Sequence, residues 1–161
     1  MESWESFFVA EVGAAAVLAG LLFVGVSINL ERILKLGGLP ERAMQTLVLF
    51  VAALLMASLP LVPEVPPAVL GAIVLVLGIA VVVACTALAA RGMRQASATN
   101  LVRVAWWNGV LVEVAAVPYV IGGIVILAGW PGGLYWIAGG VLFSFAKGCV
   151  DAWVLLVEIN R

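Results

Sequence analysis

The sequence predicts an all-α fold, a polytopic transmembrane helix bundle with five spans. The chain has 161 residues, of which 65% are hydrophobic and 11% charged, with a mean hydropathy of +1.24. So little polar surface cannot cover a soluble globule of this size. Its apolar runs have the ~20-residue length of membrane helices. We therefore expect a single transmembrane domain over residues 1–161, with the lipid bilayer as its main surroundings.

The five predicted spans cover residues 7–30, 43–62, 68–90, 103–127 and 134–159. The first is followed by an amphipathic stretch at 31–35 and by glycines that break a helix. Four prolines between residues 60 and 67 predict a rigid turn between the second and third spans. Joining these two spans into one helix would leave four crossings. The prolines oppose that alternative, because they interrupt backbone hydrogen bonding.

The distribution of charge predicts the orientation of the spans. Loop lysines and arginines fall on one side of the five-span topology, and the other side receives only glutamates. Because Lys and Arg concentrate in cytoplasmic loops, we expect the N-terminus outside and the C-terminus in the cytoplasm. The first twelve residues carry glutamates where a secretory signal carries basic residues, which predicts a first span that is retained.

Composition also excludes several classes of function. The net charge of −1 and the lack of a basic tract exclude a nucleic-acid partner. The sequence contains no histidine, the commonest general base and metal ligand, and Cys85 and Cys149 lack metal-binding spacing. We therefore expect no catalytic residue, no metal and no cofactor, and hence no enzyme. Ser144 and Lys147 come closest to an activated nucleophile, but their spacing on one helix is a weak signal.

Small residues recur at seven-residue steps on two of the spans. The two stripes consist of Gly13, Gly20 and Ser27 on the first span, and of Gly71, Gly78 and Cys85 on the third. Small residues at one helical phase allow two helices to approach closely in lipid. We predict that both stripes pack against helices, either within the bundle or at the subunit interface of a homo-oligomer.

Ionisable residues inside the predicted spans are costly in lipid and suggest a function. Four of them are Glu11, Glu113, Lys147 and Asp151. Glu113 lies about 15 Å beyond Arg103 along the fourth span, near the middle of the membrane. On the fifth span one helical stripe is polar or small along its length, and it holds Gly140, Ser144, Lys147, Asp151 and Glu158.

These charges support two hypotheses. Lys147 can pair with Glu113 across helices or with Asp151 four residues on, and the acidic excess favours a cation or a proton. The first hypothesis is an oligomeric channel or small transporter for a cation or proton, with these residues and Ser144 lining a polar route and Glu11 near its outer mouth. In the second, the charges form a closed cluster that fixes helix register. The protein is then a non-conducting interaction or regulatory protein with a membrane protein partner.

The opening FFVAEVGAAAVLAGLLFVGVSINLERIL and the closing AWVLLVEINR resemble the ends of a family of small, largely uncharacterised bacterial polytopic membrane proteins. The resemblance covers the first and last spans, a third of the chain. It implies a multi-pass location in the bacterial inner (plasma) membrane. Some relatives carry a label as modulators of a membrane-anchored AAA protease, which implies one kind of partner. No catalytic or binding residue follows from the resemblance.

Overall fold

A computed structural model of the chain describes residues 2–35, 38–96 and 102–159. Within these ranges the chain is helical between short turns and contains no strand. Its elements are α1 (Glu2–Ile28), α2 (Leu30–Lys35), α3 (Leu39–Ser58), a 3₁₀ turn (Leu59–Leu61), α4 (Pro67–Ala96), α5 (Val102–Leu127) and α6 (Gly133–Ile159). In this described part, five helical segments are long and apolar enough to cross a membrane: α1, α3 with its 3₁₀ turn, α4, α5 and α6. The predicted helical class and the five apolar segments are confirmed.

The break between α1 and α3 follows from local backbone chemistry. α1 ends at Ile28, slightly before the predicted end of the first span. The Asn29 carbonyl accepts the N–H groups of Arg32 and Ile33, both at 3.0 Å, and so begins α2. Ile33 is 2% exposed, while its charged neighbours face outward, so the amphipathic stretch packs as a short helix. Gly38 has a φ of 85°, a left-handed conformation that glycine adopts without strain, and α3 begins directly after it.

The proline-rich segment forms a turn and separates two helices. The 3₁₀ turn at Leu59–Leu61 ends the run of α3, Glu64 adopts a φ of 59°, and α4 starts at Pro67. Prolines cannot donate the N–H groups that would continue the helix. The four-span alternative, which required one continuous helix here, is therefore wrong. Between α5 and α6 the chain turns through Gly129 and Gly132, with φ values of 69° and 99°.

The helices α3 to α6 form a ring in which each contacts the next and α6 returns to α3. α1 packs against the outside of this ring, mainly on α3. It buries one stripe, formed by Phe8, Ala15 and Leu22 at seven-residue steps. Large apolar side chains on its other faces are exposed, as expected of a helix that faces lipid. α1 is thus the peripheral helix of the bundle.

The glycine stripe of α4 packs inside the bundle. Gly71 and Gly78 are buried where α4 contacts α5. A Cβ atom built on Gly78 would lie 2.9 Å from the backbone nitrogen of Val120. From the other helix, a Cβ on Gly123 would lie 2.6 Å from the backbone nitrogen of Leu75. Only glycine permits such an approach, so the packing prediction is confirmed for this stripe as a contact within one chain.

The glycine stripe of α1 has a different environment. Gly13, Gly20 and Ser27 are exposed, on the side of α1 roughly opposite its buried stripe. Among the described residues, nothing lies within 4 Å of a Cβ built on Gly13 or Gly20. The Ser27 hydroxyl donates to the Phe23 carbonyl of its own helix at 2.8 Å. This stripe makes no helix packing contact within the described chain, and its role as a subunit interface stays a prediction.

Candidate functional site

Polar side chains of α3, α5 and α6 meet toward one end of the helix ring, where α3 and α5 begin and α6 ends. We call this group the polar cluster; its members are Arg42, Gln45, Asn108, Lys147 and Asp151. At the rise of an α-helix, Arg42 lies about 5 Å from the start of α3 and Asn108 about 9 Å from the start of α5. Asp151 lies about 12 Å from the end of α6. Lys147 lies about 18 Å from that end, so the cluster extends from this end of the ring to the middle of α6.

Asp151 is the centre of the cluster. Its side chain is 0% exposed, and its Oδ1 accepts the Arg42 Nε–H at 2.8 Å and lies 2.8 Å from Arg42 Nη2. Its Oδ2 accepts a hydrogen bond from Lys147 Nζ. The i,i+4 pair that the sequence predicts on this helix is present. Arg42 joins it from α3, so one buried carboxylate holds two cations.

Amide side chains extend the cluster across the ring to α4. Lys147 Nζ also donates to Asn108 Oδ1 at 2.8 Å. The Asn108 amide nitrogen donates to Gln45 Oε1 at 3.0 Å. The Gln45 amide nitrogen in turn donates to the backbone carbonyl of Cys85 at 3.3 Å. The hydrogen-bonded chain thus runs through α6, α5, α3 and α4, which ties together the helices of the ring.

Three members of this site were not predicted from the sequence: Arg42, Gln45 and Asn108. Arg42 is one of the loop arginines, which indicate only the orientation of the spans. A signal was available on α3, where Arg42, Gln45 and Thr46 occupy positions i, i+3 and i+4 of an otherwise apolar helix. Polar residues on one face of a membrane helix indicate an internal contact.

Of the two pairings open to Lys147, the one with Glu113 is not formed in the described chain. Glu113 is half-buried and accepts a hydrogen bond from the Thr86 hydroxyl of α4 at 2.6 Å. In the described part of the chain, no salt bridge joins it to Lys147. Asn108 and Glu113 differ by about 140° around α5. Because Asn108 is turned toward Lys147, Glu113 is turned toward α4.

The remaining predicted site residues lie outside the polar cluster. Ser144 is buried, and its hydroxyl lies 2.9 Å from that of Tyr119 on α5. A Cβ on Gly140 would lie 2.6 Å from the Tyr119 ring, so this part of the α6 stripe packs tightly. Glu11 is half-buried on the peripheral α1, and no hydrogen bond or ion pair in the described chain joins it to the cluster. The side chain of Glu158 lies outside the described residues.

A cavity of about 390 Å³ lies beside the polar cluster, between the first part of α5 and the second half of α6. Its polar lining comes from Arg42, Arg103, Asn108 and Lys147. We call it the basic cavity. Among the described residues that line it, none is acidic.

No protein-family model, no curated protein and no solved structure matches this chain. The resemblance of its first and last spans to a bacterial membrane protein family stays a prediction. The geometry of the polar cluster and the basic cavity is therefore the basis for a functional proposal.

Proposed function

We propose that the protein is a non-conducting multi-pass protein of the bacterial inner membrane that acts by binding other membrane components. In this proposal the polar cluster is structural and holds the helices of the ring in register. The observation that carries it is the state of Asp151, which is fully buried and gives both oxygens to cations of the chain. A buried ion pair that is fully paired can fix how helices pack without taking part in transport.

The charge balance of the cluster also disfavours a cation route. Arg42 and Lys147 share the single carboxylate of Asp151, which leaves a positive excess among the groups in contact. The acidic excess counted from the sequence depended on Glu11 and Glu113. In the described chain neither residue bonds to the cluster, and Glu113 bonds Thr86 instead. A fixed positive excess repels a permeating cation or proton. The channel or small transporter expected from the sequence is the alternative that an experiment has to test.

The surface that we propose for a protein partner is the exposed stripe of Gly13, Gly20 and Ser27. Small residues allow a second helix to approach α1 closely, and the bundle itself leaves this side uncovered. The partner is either a second copy of the chain, which makes a homo-oligomer, or another membrane protein such as a protease subunit.

A flux experiment tests the proposal against the channel alternative. Purified protein is reconstituted into sealed liposomes under imposed potassium and pH gradients. We expect flux equal to that of protein-free liposomes, because the paired cluster offers no free coordinating group. An added ionophore shows that the gradients are intact, and circular dichroism shows that the protein is folded. The proposal would be contradicted if the protein caused flux and Asp151→Asn or Glu113→Gln altered that flux. Such a result would support the channel hypothesis.

The proposal includes an orientation, with the N-terminus outside and the C-terminus in the cytoplasm. It is supported by the basic residues at the ends of α2 and α4, in contrast with exposed Glu5 and Glu64 toward the other end. In a chain with Cys149→Ser, we expect Glu64→Cys to react with a membrane-impermeant maleimide on intact cells. Arg94→Cys should react only after the membrane is permeabilised. The reverse pattern would contradict the orientation. The chain with Cys149→Ser alone is the control for the buried Cys85.

A further inference from the structure

We infer that the basic cavity binds the phosphate headgroup of an anionic phospholipid. Three basic side chains line it within the described chain: Arg42, Arg103 and Lys147. The buried Asp151 neutralises one positive charge of the Arg42–Lys147 pair, and it lies behind both side chains rather than in the lining. The cavity therefore carries excess positive charge, and basic sites between membrane helices bind anionic headgroups.

Hydrogen-bond donors for the phosphate are available in the cavity. The Lys147 ammonium bonds Asp151 and Asn108 and has a further N–H. The Arg42 guanidinium uses Nε and Nη2 on Asp151 and keeps the donors of Nη1. Arg103 makes no salt bridge with any described residue. Hydrogen bonds from such cations to phosphate oxygens are short and strong.

The rim of the cavity indicates a lipid rather than a soluble anion. Val104, Leu111 and Val150 are 57%, 49% and 55% exposed, and they continue the cavity wall along α5 and α6. Trp107, at 55% exposed, lies beside them. Tryptophan is enriched at the depth of lipid headgroups, and the first turn of α5 carries Arg103 at the same end. A ligand with a phosphate at the polar lining and an acyl chain along this apolar rim matches both parts. The inference holds whether or not the protein conducts ions.

Quenching of tryptophan fluorescence by brominated lipids measures this binding. The full chain is reconstituted into vesicles that mix phosphatidylglycerol and phosphatidylcholine, with bromine on the acyl chains of one lipid at a time. The difference between wild type and Trp107→Phe isolates the signal of Trp107, which lines the cavity. We expect phosphatidylglycerol to quench this signal at a lower mole fraction than phosphatidylcholine does.

Two arginine variants distinguish lipid binding at the basic cavity from attraction of the lipid by general surface charge. Arg103→Gln should lower the relative association constant for phosphatidylglycerol about fivefold, the effect of one basic group near anionic lipid. Arg91→Gln is the matched control. Arg91, near the end of α4, is exposed as Arg103 is, but it does not line the cavity. Arg91→Gln should leave the constant unchanged. Both variants are compared with wild type by circular dichroism before the measurement.

A third variant tests the cavity without changing charge. Val150→Trp adds volume to an exposed wall of the cavity and should abolish the preference for phosphatidylglycerol. The preference of this variant is measured with spin-labelled lipids, because the added tryptophan would contribute to a fluorescence signal. An unchanged preference would overturn the inference, as would an equal loss in Arg91→Gln or a wild type without preference. Inorganic phosphate at millimolar concentration should not compete. Competition would show a site for soluble anions in place of a lipid site.

Discussion

Asp151→Asn should lower the free energy of unfolding by about 3–5 kcal/mol, the usual cost of removing one partner from a buried ion pair. Asparagine keeps the size of the side chain and loses its charge. The cations of Arg42 and Lys147, which both contact this carboxylate, would then lie in the bundle with only neutral acceptors. This effect is large because the single carboxylate of Asp151 contacts two cations, one on its own helix and one on α3.

Unfolding in mixed detergent micelles with increasing SDS, followed by circular dichroism, measures this change. Glu5→Gln is the control, since Glu5 is exposed at the start of α1 and its loss should cost under about 0.5 kcal/mol. The double variant Asp151→Asn with Lys147→Met should recover part of the stability, because it leaves one unpaired cation fewer. If Asp151→Asn is as stable as the control, the polar cluster does not hold the helices together and the proposed structural role is wrong.

Gly123→Ala should destabilise the protein by about 1–3 kcal/mol through overpacking. The added Cβ would lie 2.6 Å from the backbone nitrogen of Leu75, which cannot move aside as a side chain can. The sign of the effect is informative, because alanine in an exposed helix interior is otherwise more favourable than glycine by about 0.5–1 kcal/mol. A destabilising result therefore requires close contact between α4 and α5.

Gly20→Ala is the matched control on the exposed stripe of α1. No described atom lies within 4 Å of its added Cβ, so we expect the same or slightly higher stability in detergent. Both variants are measured in the same SDS titration. A neutral Gly123→Ala would contradict the close packing of α4 on α5. A destabilising Gly20→Ala would indicate that a second copy of the chain packs on this stripe of α1 in detergent.

The sequence leaves two partners open for Lys147, Asp151 and Glu113, and different features of the structure determine each contact. Its pair with Asp151 could be predicted because residues i and i+4 share a face in any α-helix. Whether Lys147 also pairs with Glu113 could not be predicted, because that contact depends on the rotation of α5 about its own axis. That rotation turns Asn108 toward Lys147 and directs Glu113 to Thr86. A depth estimate from the sequence places residues at one level but does not say which side of a helix faces which neighbour.

The glycine stripes show the same limit. Gly71 and Gly78 have the same seven-residue spacing as Gly13 and Gly20. The first pair is buried against α5, and the second is exposed. Nothing within either helix distinguishes them, since the difference lies in the facing helix, where Gly123 removes the side chain that would separate the backbones.

The five apolar helices and the described turns between them follow from local features of the sequence. In lipid each segment must satisfy its backbone hydrogen bonds internally, so hydrophobic length, prolines and glycines decide where a helix begins and ends. These are local properties. The packing of the helices against one another, in contrast, brings Arg42, Gln45 and Asn108 to Lys147 and Asp151 and forms the basic cavity beside them. It also leaves Glu113 and Glu11 outside the cluster. Such contacts depend on how each helix is rotated and paired, and many residues on several helices set that arrangement together.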